Sequence, residues 1–298
     1  MQVFVTGGSG LTGPAVVAEL IAAGHTVTGL ARSDAAAARL ESLGAAVHPG
    51  SLEDLASLRS GAEAADAVLH MAFGGDFADP DAMMRRDRTA IETLGGAVAR
   101  TGKPFVSTSG TLVLPGGRES TERDVPDPVG IAPFRIPGER ACLGFAGQGV
   151  RASVVRLAPT VHGPGDYGFI PLLIDTARKT GVSAYVGDGG NRWPAVHRLD
   201  AAVLFRLALE HAPAGSVLHG VAENVTLKSV AETIARRLGV PAVSLPPDEA
   251  AGHFPSPFLA RAYGFDGPVS SAHTRESAGW SPAGPSLLDD LEHGDYFA

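Results

Sequence analysis

The sequence predicts an α/β fold built on a doubly wound parallel sheet, and three observations predict it. Short Val/Leu runs alternate with Ala-rich helical stretches across the first half of the 298 residues. The first run, Val3-Phe4-Val5-Thr6, passes straight into Gly7-Gly8-Ser9-Gly10-Leu11-Thr12-Gly13 and then a helix-like stretch from Pro14 to Ile21. After about Gly163 the text becomes richer in loops, Gly and Pro before helical patterns resume. Alternating strands and helical crossovers give parallel strands covered on both faces. The later change of texture marks a smaller lobe, packed over the carboxyl ends of the strands where ligands bind in such folds.

Taken in order, the predicted strands are Gln2–Thr6, Thr26–Ala31, Ala45–His48, Ala67–Ala72, Pro104–Ser109 and Ala152–Leu157. Helical segments lie between them near 13–23, 34–43, 52–62, 80–101 and 137–148, with later helices near Asp200–Glu210 and Leu227–Leu238. The opening strand, tight turn and helix N-terminus make a dinucleotide-phosphate site. Glycines let backbone N–H groups approach a pyrophosphate, and the helix dipole favours its charge. The expected division is therefore 1–162, a Rossmann-type dinucleotide-binding domain, and 163–298, a smaller substrate-binding lobe that returns a helix and a strand to the main sheet.

The end of the second strand selects the dinucleotide. An acidic residue there hydrogen-bonds a free ribose 2′-hydroxyl, whereas arginine accommodates a 2′-phosphate. This strand ends Gly29-Leu30-Ala31-Arg32-Ser33-Asp34. Arg32 offers a charged fork and Ser33 a hydroxyl, so NADP(H) is expected ahead of NAD(H). The alternative has Arg32 in solvent and Asp34 on the ribose.

Composition excludes several classes. A net charge of −8 with no basic run argues against nucleic acid and anionic membranes as partners. No apolar stretch approaches the roughly 20 residues needed to cross a bilayer, and the initial Met leads into a strand, so no signal peptide is expected. Cys142 is the single cysteine, which allows no internal disulfide and suits a cytoplasmic location. The ten histidines show no HExxH or paired metal-ligand spacing, so no metal is expected.

Further segments extend the pattern along the chain: Gly50-Ser51-Leu52-Glu53-Asp54, Leu69-His70-Met71-Ala72, Ser107-Thr108-Ser109, Pro159 to Gly165, Val196-His197-Arg198-Leu199-Asp200, and Thr274 to Pro282. With Gly7, Gly10 and Gly13 they make the chain resemble the extended branch of the short-chain dehydrogenase/reductase superfamily, the branch of NAD-dependent epimerases and dehydratases. The glycine turn is specific; the other matches persuade by their order. The resemblance implies cofactor contacts from Gly7, Gly10, Leu11, Thr12, Gly13, Arg32, Ser33, Leu52, Ala72, Phe73, Ser107, Pro159, Thr160 and Val161. It also implies pairing of two copies through the helices near 80–101 and 137–148, hence a possible homodimer.

One element departs from that family. Its chemistry rests on Tyr-x-x-x-Lys, yet none of Tyr167, Tyr185, Tyr263 and Tyr296 has lysine four residues later. Counting back from Val154-Val155-Arg156 places those two positions on Arg135 and Glu139. The chain thus resembles the atypical members that keep the cofactor turn without the pair. Arg135 cannot give up a proton near neutrality, its pKa lying above about 12, but it can stabilise a developing alkoxide or clamp an acidic substrate. Glu139 can accept from ribose hydroxyls; the alternative is a simple i,i+4 pair between the two, worth at most about 0.5 kcal/mol.

Ser109 aligns with the active-site serine of that family, and Ser109, Thr111, Tyr167, Arg192 and Trp193 are the expected substrate contacts, with Ser109, Arg135, Glu139 and Tyr167 the expected catalytic group. Proton delivery falls to Ser109, Tyr167, His162 or a water. His197 and Asp200 are expected to cap the following helix. The leading expectation is an NADP(H)-dependent oxidoreductase acting on a carbonyl or conjugated double bond of a small molecule. Two alternatives stand beside it: a non-redox isomerase, dehydratase or cyclase in the same pocket, and a binding protein that senses NADP(H).

Overall fold

The computed structural model describes residues 1–74 and 79–298. Seven strands form the central sheet: β1 (Gln2–Thr6), β2 (Thr26–Ala31), β3 (Ala46–Pro49), β4 (Ala67–His70), β5 (Pro104–Gly110), β6 (Arg151–Leu157) and, after the short lobe strands β7 (Thr160–His162), β8 (Ser183–Val186) and β9 (Arg192–His197), β10 (Ser216–Gly220). Their spatial order is β10-β6-β5-β4-β1-β2-β3, and every pairing is parallel. This is a Rossmann-type sheet.

Helices cover both faces: α1 (Gly13–Ala22), α2 (Asp34–Ser42), α3 (Leu55–Ala64), α4 (Pro80–Ala97) and α5 (Ile136–Gly144), then α6 (Phe169–Thr180) in the lobe and α7 (Arg198–His211) back on the sheet. Strand periodicity decides the division. Val3, Val5 and Leu69 point into the core shared with α1 and α7, while Phe4, Val68 and Phe105 point into the core under α3, α4 and α5. Gly61 makes the second core possible, because a Cβ there would lie 2.4 Å from the Phe4 ring.

The lobe has its own core, drawn from α6, β9, β11 (Glu223–Thr226), α8 (Leu227–Leu238), α10 (Pro257–Tyr263) and α12 (Leu287–His293). β12 (Ala242–Leu245) pairs with β8, and α9 (Pro247–His253) and α11 (Ala272–Ala278) complete the chain. Among the described residues, no helix is long and apolar enough to cross a membrane.

Some boundaries differ from expectation for local reasons. The third helix starts at Leu55 rather than 52, because the Asp54 carboxylate caps it by accepting from the Ser57 N–H at 3.1 Å. The fourth stops at Ala97, shortly before Arg100, which has φ +62°. The fifth ends at Gly144 and tightens into a 3₁₀ turn over Phe145–Gln148, closed by left-handed Gly149. Pro137 sits in its first turn, where a missing N–H costs no hydrogen bond.

Candidate active site at the carboxyl edge of the sheet

A cavity of about 1350 Å³ opens above the carboxyl ends of the central strands. The order of strands gives it two sides. On the β2 and β3 side stand Leu30, Arg32, Gly50 and Leu52; in the middle are the glycine turn, Ala72 and Phe73; on the β5 and β6 side are Thr108 and Leu157. Segment 130–134, the loop at Tyr167 and α10 enclose the rest.

The glycine turn is built by close approach. Gly7 has φ +77°, and a Cβ there would lie 2.6 Å from the Ala72 nitrogen. A Cβ on Gly13 would lie 2.3 Å from the Gly7 carbonyl oxygen and 2.4 Å from that of Gly8, so only glycine brings α1 this near to β1. Thr12 precedes α1 without a side-chain capping bond. Pro14 carries no N–H and the Val16 N–H meets the Thr12 carbonyl at 3.2 Å, which leaves the N–H groups of Gly13 and Ala15 to meet an anion, and a dinucleotide pyrophosphate fits this cradle. Two guanidinium groups fix the outside of the turn: Arg39 donates to the Ser9 carbonyl at 3.2 Å, and Arg198 to those of Leu11, at 2.8 Å, and Pro164. Arg198 lies in the Val196–Asp200 segment, but its role at the turn was not legible in the sequence, since its partners lie 187 and 34 residues away.

Of the expected cofactor contacts, Gly7, Gly10, Leu11, Thr12, Gly13, Arg32, Leu52, Ala72 and Phe73 line the cavity. Ser33, Ser107, Pro159, Thr160 and Val161 stand outside its lining. Ser33 caps α2, accepting from the Ala36 N–H at 3.3 Å. Strand alternation turns Ser107 and Ser109 to the face opposite Thr108, and it is Thr108 that reaches the cavity. Pro159 leads into β7, where Thr160 accepts from the Trp193 indole at 2.8 Å and Val161 pairs with Val196. The hydroxyls of Ser107, Thr108, Ser109 and Thr111 are buried without a hydrogen-bond partner.

Arg135 and Glu139 do not pair with each other. Arg135 is buried one layer behind the cavity wall, its guanidinium carbon 3.6 Å from the Phe73 ring centroid. It donates to the Thr108 carbonyl and lies 3.5 Å from Asp87. Asp87 meets His70 Nε2 at 3.2 Å, and His70 Nδ1 meets the Thr6 hydroxyl at 2.7 Å. Burial alone would raise the Asp87 carboxyl; the Arg135 charge and the His70 hydrogen bond outweigh it and hold that carboxyl below its ordinary value. A continuous polar chain thus runs from β1 to β5 beneath the cavity floor.

Glu139 is engaged elsewhere. Arg156 Nε reaches its two oxygens at 3.2 and 3.1 Å, and Nη2 reaches Oε1 at 2.6 Å, with both side chains buried. Arg156 also meets His219 Nε2 at 3.4 Å, and His219 Nδ1 meets the Ser270 carbonyl at 2.8 Å. A ribose role for Glu139 has no geometric support, because this pairing takes up its carboxylate.

Tyr167 lines the cavity and is 63% exposed. Arg192 and Trp193 stand outside the lining. Arg192 forms a two-pronged pair with Asp266 at 3.1 and 2.9 Å, and Trp193 is buried between Phe169 and Tyr263. His162 also stands outside it, with Nδ1 bonded to Asp290 at 2.6 Å. His197 caps α7 by accepting from the Leu199 N–H at 3.4 Å, while Asp200 binds the backbone N–H groups of Ala283 and Gly284 instead. The sequence did not single out Phe134, Phe258 and Arg261, which belong to the lining but come from a three-residue 3₁₀ turn and a seven-residue helix without motif character.

Residues 3–219 match the NAD dependent epimerase/dehydratase family, and the chain belongs to it. An uncharacterised protein of Schizosaccharomyces pombe is 45% identical over 300 residues, covering 100% of both chains. The 4-hydroxy-2-methyl-3-oxo-4-farnesyl-3,4-dihydroquinoline-1-oxide ketoreductase of Stigmatella aurantiaca is 31% identical over 225 residues, 73% of this chain and 67% of that one. Among solved structures, dTDP-glucose 4,6-dehydratase from Streptomyces venezuelae with NAD bound superposes with a TM-score of 0.77, at 20% identity over 98% of this chain and 94% of that one.

Proposed function

We propose that the chain is an NADP(H)-dependent reductase of a carbonyl, or a conjugated double bond, on a small molecule. The observation that carries this reading is a single cavity whose lining joins the glycine turn and Arg32 to Phe73, Thr108 and Tyr167. Membership of a family of NAD(P)-dependent enzymes and the likeness to a ketoreductase support it. A bound nicotinamide supplies hydride exchange. The turn and the α1 N-terminus hold the pyrophosphate, and Arg32 meets the 2′-phosphate.

Arg135 is a positioning residue in this reading. Clamped between Phe73, Asp87 and the Thr108 carbonyl, it fixes two groups of the cavity wall and does not reach a substrate oxygen itself. We assign proton delivery to the Tyr167 hydroxyl, since Ser109 and His162 stand outside the lining. We further propose a cytoplasmic location and a homodimer through α4 and α5.

The test is NADPH consumption against a panel of aldehydes, ketones and enones, with direct titration of NADPH in parallel. Tyr167→Phe should lower kcat by about 10²–10⁴-fold with NADPH affinity unchanged. Tight NADPH binding with no consumption across the panel would leave a binding protein and overturn the reductase.

A further inference from the structure

Resting on the reductase reading, and narrowing it, we infer that the substrate half of the cavity takes an apolar, planar cyclic carbonyl compound bearing at most one negative charge, and rejects nucleotide sugars. The volume of about 1350 Å³ exceeds the roughly 300–1000 Å³ of single small-ligand sites, which leaves room for two ligands side by side. The glycine turn and Arg32 account for one. The question is what the remaining wall recognises.

That wall is aromatic. Phe73 and Phe134 stack with centroids 6.1 Å apart and planes 10° from parallel, and Phe258 lies 6.3 Å from Phe134. All three line the cavity, with Ile131, Pro133 and Phe169 beside them. Phe73 already carries the Arg135 guanidinium over its ring and lies parallel to Phe134, so the wall offers a flat ligand the remaining carbon surface of Phe134 and Phe258, from which a puckered, hydroxylated sugar gains little.

Charge points the same way. Among the described residues, Arg32 and Arg261 are the only charged side chains in the whole lining. Arg32 belongs to the β2 side and Arg261 to α10, where it is exposed and donates to the Gly130 carbonyl at 3.4 Å. A nucleoside diphosphate carries two phosphate charges and many hydroxyls. It would meet one solvated cation, the hydroxyls of Tyr167 and Ser256 and an otherwise apolar wall, losing hydration that these few groups do not replace. A single carboxylate or phenolate on a ring fits one Arg261.

The experiment is calorimetric titration of the full chain, alone and saturated with NADP⁺, using 2-naphthaldehyde, 6-formyl-2-naphthoic acid and UDP-glucose. The expected result is binding of both naphthyl compounds, the acid about threefold tighter, with UDP-glucose at least tenfold weaker than either. Phe134→Ala should weaken 2-naphthaldehyde about tenfold. Arg261→Gln, at an exposed position that leaves the core intact, should abolish the advantage of the acid while sparing the aldehyde. UDP-glucose binding as tightly as the naphthyl compounds would overturn the inference, as would an unchanged aldehyde affinity in Phe134→Ala. Failure to bind NADP⁺ would sink the reductase reading instead, and the titrations on the protein alone would still decide the ligand class.

Discussion

Replacing Arg32 with alanine tests cofactor choice at the level of one charge. Arg32 follows β2, is exposed and lines the cavity, while neighbouring Ser33 is occupied in capping α2. A 2′-phosphate carries about −1.5 to −2 charges near neutrality. At about 4 Å in a water-like dielectric, each charge pair contributes about 1 kcal/mol, so the phosphate gains about 2 kcal/mol from Arg32. That agrees with the ~1.5–3 kcal/mol of a hydrogen bond to a charged group. Arg32→Ala should therefore weaken NADPH about thirty-fold and leave NADH unchanged, because the free 2′-hydroxyl offers no charge. Arg32→Asp should go further and favour NADH, a carboxylate being the ordinary partner of that hydroxyl. Fluorescence titration of both nucleotides at low and high salt is the assay, and the preference of the wild type should shrink with salt. Equal weakening of NADPH and NADH, or no change in either, would refute the reasoning and leave Arg32 a solvated side chain.

Two further outcomes follow from the buried charges. Glu139→Gln should cost about 3–5 kcal/mol, since it leaves the buried Arg156 uncompensated, and lower Tm by roughly 10 °C in calorimetry. Weakened NADPH binding with unchanged Tm would instead restore a cofactor role for Glu139. His219 should make stability depend on pH: burial, opposed by its Ser270 hydrogen bond and the charge of Glu122 and reinforced by Arg156, lowers its pKa to about 4 from an ordinary 6.5. The neutral form is the one the fold accommodates, so its contribution is complete above pH about 6.5. As pH falls toward about 4 the unfolded chain gains a proton that the folded one refuses, and up to about 3 kcal/mol is lost, with no further loss from this group below. Denaturant unfolding of wild type and His219→Asn across that window isolates its share from that of His197, whose pKa burial also lowers; parallel curves would refute it.

Much of the sheet and half of the site were legible because they follow short-range rules. Gly7 to Gly13 reads as a phosphate turn since strand, turn and helix are consecutive. The substrate half was not legible. Trp193 has the composition of a pocket wall, yet the indole finds its acceptor in Thr160 and its packing in Phe169 and Tyr263. Phe258 and Arg261 come from a short helix distant in sequence from every strand that forms the floor.

Arg135 and Glu139 show the boundary most clearly. Their spacing invites an i,i+4 pair worth a few tenths of a kcal/mol. Once buried, each charge needs full compensation, and each finds it far along the chain, at Asp87 and at Arg156. The sequence by itself therefore determined the order of the first six strands and the helices between them, the glycine cradle and the cation after β2, all set by contiguous residues. Only the tertiary structure decided which buried ions meet and which side chains face the cavity, because the cost of an unpaired buried charge outweighs any local preference.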